Sequence, residues 1–264
     1  MSKSPRTKGT SVALLKGAPP KKLQGEALGQ YATRVIRGAI RSGQLTAGER
    51  LREGDVGAWL GISRTPVREA FQSIISDGLM VAGPRHVAMV AELNQNQLLE
   101  LYFLREVLDG AASELAARLA SDAEIDHLLE IAESELAAKD DLGRLAIINS
   151  EFHHAIYAAA RNRYLTQSLN AVIDTLGLLR YSSAVLPGSI EQARSEHMAI
   201  IEAIRDRDGK RADEAARKHV RNALALRMRL LRKDRQASDH ADDSNGAERM
   251  SEGFLLQNTW HLSN

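Results

Sequence analysis

The segment GISRTPVREA, residues 61–70, constrains the fold most, because it encodes both the end of one helix and the start of the next. Gly61 is suited to end a helix, Ser63 is a favoured N-cap residue, and a proline at position 66 is tolerated in a first turn. Three further polar side chains gather at this helix start: Arg64, Thr65 and Arg68. Positive charge there opposes the helix macrodipole, so the arrangement predicts an anionic partner such as a DNA phosphate or a guanine edge.

The sequence on either side of this turn predicts a small three-helix domain that ends in a hairpin. The spacing of apolar residues predicts helices near residues 27–42, 53–60 and 63–77, with a loop over residues 43–51. Two β-prone runs follow, Leu79–Ala82 and Val87–Ala91, with Arg85 and His86 between them. After three helices, such a hairpin is typical of the wing in a winged helix-turn-helix domain.

The second helix of a helix-turn-helix places its first residues against base edges and phosphates in the major groove. Arg64 and Arg68 are four residues apart, so both project from one helix face, where one can pair with guanine and the other with phosphate. The predicted DNA-contacting set is Ser63, Arg64, Thr65, Pro66 and Arg68 from the helix, with Arg85 and His86 from the wing. The alternative is an ordinary surface helix with solvated arginines.

Charge is distributed unevenly along the chain. Residues 1–95 contain 14 Lys/Arg and 7 Asp/Glu, a net of +7, whereas residues 96–264 contain 21 Lys/Arg and 27 Asp/Glu, a net of −6. This asymmetry favours a module that binds a polyanion, joined to a second domain of another kind. We expect a disordered basic arm over residues 1–25 and the DNA-binding domain over residues 26–92.

From about residue 95 the chain is rich in Leu and Ala and predicts almost continuous helix. The predicted helices lie near residues 95–119, 122–138, 141–160, 163–185, 189–207 and 209–233. Six such helices can form an antiparallel bundle with its own core. The predicted fold is therefore mostly α, a winged helix-turn-helix followed by an all-helical domain over residues 95–232, and the polar residues 235–264 are predicted to be disordered.

Three of the predicted bundle helices each carry a histidine on an apolar face. Asn149 and His153 lie one turn apart on one helix, and His197 and His219 lie on two others. Three imidazoles directed toward a shared interior, with an amide oxygen, suit Zn²⁺ or another borderline divalent ion such as Ni²⁺ or Mn²⁺. The alternative is that each histidine is a hydrogen-bonded core residue.

Residues 27–91 resemble the DNA-binding domain of GntR-type winged-helix regulators, and SRTPVREA at residues 63–70 is very close to the recognition-helix signature of that family. Two positions depart from the family pattern. Gly54 stands where many relatives carry a DNA-contacting arginine, and Val87 stands where a glycine usually turns the wing.

The helical half resembles the FCD effector domain of the FadR subgroup. The resemblance is carried by LYFLREVL at residues 101–108, NSEFH at residues 149–153, EH at residues 196–197 and KHV at residues 218–220. It implies a homodimeric, ligand-responsive repressor that binds a palindromic operator in double-stranded DNA. It also implies a metal ion held by Asn149, His153, His197 and His219, although an aspartate is expected at position 149.

Arg105 falls on the inward face of its predicted helix, and a buried guanidinium needs an anionic partner. The resemblance implies that this partner is the carboxylate of a small organic acid, the effector. The alternative is an internal ion pair with a Glu or Asp.

Composition narrows the remaining function classes. The chain has no cysteine, which excludes disulfides and thiolate metal ligands, and no apolar run of about 18 residues predicts a membrane span. The apolar patch Val12–Leu15 is too short for a signal peptide, which favours a cytoplasmic protein. The second hypothesis is a metal-dependent enzyme with a DNA-targeting domain, but the chain has no H-E-x-x-H motif and no evident general base, so we expect no catalytic residues.

Overall fold

The computed structural model describes residues 17–84, 86–178 and 188–257, and for residues 234–257 it describes the backbone alone. The N-terminal helices are α1 (Leu28–Arg41), α2 (Glu53–Leu60) and α3 (Arg64–Ser76). The strands are β1 (Arg50–Arg52), β2 (Met80–Ala82) and β3 (Val87–Val90). The C-terminal helices are α4 (Gln95–Leu119), α5 (Asp122–Ala137), α6 (Leu142–Ala159), α7 (Arg163–Leu176), α8 (Ser189–Arg205) and α9 (Gly209–Gln257).

The first three helices pack around one apolar core. The buried face of α1 contributes Val35 and Ile36, and the buried face of α3 contributes Phe71 and Ile74. Between α2 and α3 the chain turns at Gly61, whose φ of 70° lies in the left-handed region that glycine adopts without a steric penalty. The predicted helix-turn-helix is therefore confirmed, with α3 as its second helix.

A three-stranded antiparallel sheet in the order β1-β3-β2 completes the DNA-binding domain. The predicted hairpin corresponds to β2 and β3, in which Val81 pairs with Met89. Residues 43–51 were predicted to form a loop, whereas Arg50–Arg52 form β1, in which Leu51 pairs with Ala88. A three-residue strand is too short to show an alternating pattern, although its central residue, Leu51, is buried.

The remaining helices form the all-helical domain. Asn94 caps α4 and Ser121 caps α5, each through a reciprocal capping box, which explains why both helix starts were readable from the sequence. The domain core draws buried side chains from all six helices, with Phe152 and Ile201 fully buried near its centre. The mostly α architecture with a small wing is as predicted.

Two helix ends differ from the prediction. Helix α7 ends at Leu176, whereas the sequence predicted a helix to residue 185, and residues 179–187 lie outside the described residues. Helix α9 continues to Gln257, into the segment predicted to be disordered, and no proline interrupts this stretch. Residues 1–16 of the predicted arm also lie outside the described residues. Within the described part of the chain, no helix has the length and apolar character needed to cross a bilayer.

Candidate functional site

The N-terminus of α3 presents an exposed polar surface. Ser63, Arg64, Thr65 and Arg68 are all exposed, as a DNA-contacting helix end requires. Ser63 occupies the N-cap position, but its side chain makes no capping hydrogen bond. Pro66, grouped with these residues on sequence grounds, differs from them because it is buried in the first turn of α3.

Arg68 is held in place by Glu53, which was not among the predicted site residues. Its Nε donates to Glu53 Oε1 at 3.0 Å, and its second terminal nitrogen donates to Glu53 Oε2 at 2.9 Å. Glu53 is buried at the start of α2, and the hydrogen bonds from Arg68 lower the pKa of its carboxyl group more than burial raises it. This carboxylate therefore fixes the arginine side chain on the recognition surface.

The same carboxylate also reaches the wing. His86, at the tip of the β2–β3 hairpin, places Nδ1 3.5 Å from Glu53 Oε1 while its ring remains largely exposed. The backbone N–H of Glu53 donates to the carbonyl oxygen of His86 at 3.3 Å. Glu53 therefore ties the wing to the recognition helix. Arg85, the other predicted wing contact, lies outside the described residues.

Arg64 lies beside Gly54, the position at which the resemblance to the family predicts an arginine. A β-carbon built on Gly54 would lie 3.4 Å from Arg64 Nε, in ordinary contact with the guanidinium. A long side chain at position 54 would therefore compete with Arg64 for this space. The absence of a side chain at Gly54 leaves this space to Arg64.

The three predicted histidines meet in the core of the helical domain. His153, His197 and His219 are all buried, and one ring nitrogen from each lies within 4.8 Å of the others. His197 also stacks on Phe152, with ring centroids 4.1 Å apart. Three distant parts of the sequence thus converge, as their apolar faces predicted.

Two glutamates orient two of these imidazoles. His197 Nδ1 lies 2.7 Å from Glu135 Oε1, and His219 Nδ1 lies 2.8 Å from Glu196 Oε2. Because a carboxylate only accepts, each Nδ1 carries a proton, so in the neutral form of each ring the lone pair is on Nε2. Burial raises the pKa of Glu196, but the hydrogen bonds from His219, Gln192 and Asn222 together lower it by more than burial raises it. The net result is a lowered pKa, so Glu196 remains ionised.

His153 differs from the other two histidines because an arginine stands beside it. A terminal nitrogen of Arg105 lies 3.2 Å from His153 Nε2, and Arg105 Nε donates to Asp109 Oδ2 at 2.9 Å. The hydroxyl of Tyr157 donates to the other oxygen of Asp109. Burial and then the nearby positive charge of Arg105 keep the pKa of His153 well below its ordinary value, so the ring is neutral.

The alternative interpretation of Arg105, an internal ion pair, is therefore present in the structure. An Arg and an Asp four residues apart on one helix face were visible in the sequence, and this spacing could have identified Asp109. Glu135 lies 62 residues before its histidine, and no local signal connects the two.

A cavity of about 440 Å³ opens beside the histidines. His197, His219, Arg105 and Asn149 all line it, and Asn149 itself is exposed. Part of the wall comes from the DNA-binding domain, through Arg41, Ser42 and Gly43 at the end of α1. The volume lies within the range of small-molecule sites in proteins.

The donor set fits a divalent metal ion. His197 Nε2 and Glu135 Oε2 are buried and have no hydrogen-bond partner among the described residues. A buried polar atom without a partner is unfavourable, and a metal ion would satisfy the histidine nitrogen. Imidazoles backed by carboxylates are a common ligand arrangement for zinc and similar ions.

Together, the fold and these residues define a two-domain DNA-binding protein with a buried polar centre in its helical domain. The chain matches the family model "Bacterial regulatory proteins, gntR family" over residues 30–90 and the "FCD domain" model over residues 100–222. It belongs to the GntR family of transcriptional regulators, as the sequence motifs indicated. It is a regulator and not an enzyme.

Relatives of known description agree with this assignment. The chain is 31% identical over 187 residues to the "Probable D-xylose utilization operon transcriptional repressor" of Paenarthrobacter nicotinovorans, covering 69% of this chain and 80% of that protein. It is 30% identical over 174 residues to the "Nta operon transcriptional regulator" of Aminobacter aminovorans, covering 64% and 78%. The solved structure of McbR/YncC from Escherichia coli shares the fold, with a TM-score of 0.72 and 22% identity over 78% of this chain and 99% of that one.

Proposed function

We propose that this regulator is a ligand-responsive repressor that binds a palindromic operator as a homodimer and senses a small carboxylate through a metal-containing centre. The observation that carries the proposal is the convergence of His153, His197 and His219 beside Arg105. Two of these histidines, His197 and His219, line a cavity together with Arg105 and with residues of the DNA-binding domain. The centre and the DNA-binding domain therefore share one space.

The three histidines would hold the metal, His197 and His219 through Nε2 and His153 through the same nitrogen once Arg105 moves away from it. Glu135 and Glu196 support this role for His197 and His219, because a carboxylate behind each of these two imidazoles fixes its tautomer and raises its basicity. Asn149 lies one turn before His153 and lines the same cavity, so it is placed to add a neutral oxygen ligand. When bound, the metal would supply a Lewis acid for an anionic ligand.

Arg105 is the proposed anchor for the effector carboxylate. Its side chain is largely buried, lines the cavity and already carries one anionic partner, Asp109. A guanidinium has five donors, so a second carboxylate can be bound without breaking the first pair. Planar, paired donors favour recognition of a carboxylate over a neutral group.

A second copy of the chain is the proposed partner of an apolar stripe on α4. Leu99, Phe103 and Val107 follow one another at four-residue spacing, and Phe103 is 71% exposed. A contiguous exposed apolar stripe of this kind marks an interaction surface. A twofold dimer would cover both copies of the stripe and would present two DNA-binding domains to inverted half-sites.

Metal content and operator binding, measured together, test the proposal. We expect the purified protein to retain about one divalent ion per chain by elemental analysis, and His197→Ala to lose it, while His127→Ala, at an exposed histidine, keeps it. In vitro selection of DNA should return inverted repeats. Unchanged metal content in His197→Ala, or selected sites without twofold symmetry, would contradict the corresponding part of the proposal.

The effector and the sign of regulation need their own experiment. Small organic acids can be screened by thermal shift on the metal-loaded protein, and those that bind are then added to the operator complex. A repressor of this kind releases its operator when the acid binds, and Arg105→Ala should bind the operator but no longer respond. An effector must bind the two DNA-binding states with different affinities, so an acid that leaves operator affinity unchanged is not the effector.

A further inference from the structure

Asp174, on α7 of the helical domain, is an almost fully buried carboxylate whose partners come from the other domain. Its side chain is only 7% exposed. Arg41 Nε donates to Asp174 Oδ1 at 2.9 Å, and a terminal nitrogen of Arg37 lies 3.6 Å from Asp174 Oδ2. Both arginines belong to α1, so one carboxylate of the helical domain holds two cations of the DNA-binding domain.

The contact continues to the recognition helix. Arg37 also pairs with Asp77, the C-cap residue of α3. Asp174, Arg37 and Asp77 thus form a chain of charges from α7 to the end of the helix that enters DNA. A shift of α7 relative to α1 would separate these charges.

The backbones are in close contact around the same ion pair. A β-carbon built on Gly177 would lie 2.7 Å from the Cα atom of Arg41, so only glycine allows this approach. The next residue, Leu178, is buried and belongs to the apolar core of the DNA-binding domain. The insertion of Leu178 buries apolar surface between the two domains. The directional hydrogen bonds to Asp174 then favour one orientation of the domains relative to each other.

We propose that Asp174, by holding Arg37 and Arg41, fixes the orientation of the DNA-binding domain on the helical domain and thereby determines which half-site spacing the regulator accepts. This inference rests on the proposed dimer and its two half-sites. Asp174 is a positioning residue in this role, because it lies on the helical domain and acts on DNA through α1.

The physical reason is the effective concentration of the second DNA-binding domain. Once one domain binds its half-site, the other binds intramolecularly, and this gain disappears if a rigid geometry places it over the wrong base pairs. A loosely held domain can search several spacings, but its binding at the best spacing is weaker. A rigid ion pair between the domains therefore produces a sharp spacing preference.

The experiment uses the full-length protein and duplexes that carry two copies of the selected half-site. The distance between the half-sites is varied in single base-pair steps around the best value, and Kd is measured at constant salt for each duplex. We expect the wild type to lose roughly 100-fold in affinity when the spacing changes by one or two base pairs. Asp174→Asn should vary by less than about tenfold across the series and bind the best spacing more weakly.

The base preferences within each half-site provide the distinguishing readout, because Asp174→Asn should leave them unchanged while it flattens the spacing profile. Arg34→Gln is the matched control, since Arg34 also lies on α1 but pairs with Glu26 inside the DNA-binding domain. It should keep the wild-type profile. Arg41→Gln is the second test variant, because it removes one partner from Asp174 and leaves Arg37 in place.

A folded Asp174→Asn variant that keeps the wild-type spacing profile would overturn this inference but not the proposed dimeric operator complex. If Asp174→Asn fails to fold by circular dichroism, Arg41→Gln decides in its place by the same criterion. A wild type that binds one half-site as tightly as two would overturn both this inference and the proposed dimeric operator complex.

Discussion

Glu135 and His197 form a hydrogen-bonded pair inside the helical domain, in which each residue has one buried polar atom without a partner in the part of the chain that the structure describes. The bond joins Glu135 Oε1 to His197 Nδ1 at 2.7 Å, and the unpartnered atoms are Glu135 Oε2 and His197 Nε2. Such a pair is unfavourable in an apolar core unless the free imidazole nitrogen binds something. The pair is thus built to present a nitrogen lone pair.

The first prediction follows from this pair. Glu135→Gln keeps the size of the side chain but removes the charge that fixes the tautomer of His197. We expect metal affinity to fall by about 10- to 100-fold, as measured by competition with a chelating dye. Glu130→Gln is the control, because Glu130 is exposed on the same helix. Equal affinities in the two variants would show that Glu135 does not support a metal ligand.

The second prediction concerns base recognition. Arg64→Ala should lower affinity for the selected operator by about 1–3 kcal/mol and relax the base preference at one position of each half-site. Gly54 has no side chain that could take over the contact made by Arg64. Operator affinities and a repeated selection with the variant measure both effects, and a variant that selects the wild-type sequence at wild-type affinity would contradict the assignment.

Much of this architecture was predictable because it depends on local signals. Gly61 and Ser63 mark the helix-turn-helix, and the caps Asn94 and Ser121 fix the starts of α4 and α5. The inward faces of the histidine helices were also readable from the spacing of apolar residues. Each of these features depends on neighbours within one or two helical turns.

The unpredicted features depend on which helix faces meet. Glu135 reaches His197 only because α5 and α8 pack in one particular register, and Asp174 reaches Arg41 only because α7 lies against α1. Periodicity shows that a face points inward but not which face lies opposite it. The burial of Pro66 has the same origin, since it depends on the packing of the neighbouring helix.

The third prediction is a pH dependence set by Glu53. Hydrogen bonds from Arg68 lower the pKa of Glu53 below its ordinary value of 4.5 in the folded protein. A group whose pKa is lower in the folded state stabilises the fold above its unfolded pKa, and this contribution is lost as pH falls through the folded value. Glu53→Gln should therefore lower the melting temperature by about 2–4 °C at pH 7, and the difference should shrink at pH values below 4.5.

Differential scanning fluorimetry at a series of pH values measures this effect, with Glu69→Gln as the control on the exposed face of α3. The interpretation fails if the difference between Glu53→Gln and the wild type grows on acidification. Operator binding gives a second readout, because Glu53 also holds the wing through His86. Glu53→Gln should weaken binding to every operator sequence to a similar degree.

The fourth prediction tests the dimer surface on α4. Phe103→Glu places a charge at the centre of the apolar stripe formed by Leu99, Phe103 and Val107, and burying that charge without a partner is costly. We expect the variant to be monomeric by analytical ultracentrifugation at concentrations where the wild type is dimeric. Its affinity for the two-half-site operator should fall by about 100-fold or more, since the second DNA-binding domain is no longer linked to the first.

Tyr164→Glu is the matched control for this experiment. Tyr164 is 74% exposed, similar to Phe103, but it lies on α7 away from the stripe. A charge there should leave the oligomeric state unchanged, which separates an interface effect from a general effect of added charge. Binding to a single half-site should be the same in both variants and in the wild type, because α3 is intact in all three. A dimeric Phe103→Glu protein would place the dimer interface elsewhere on the molecule.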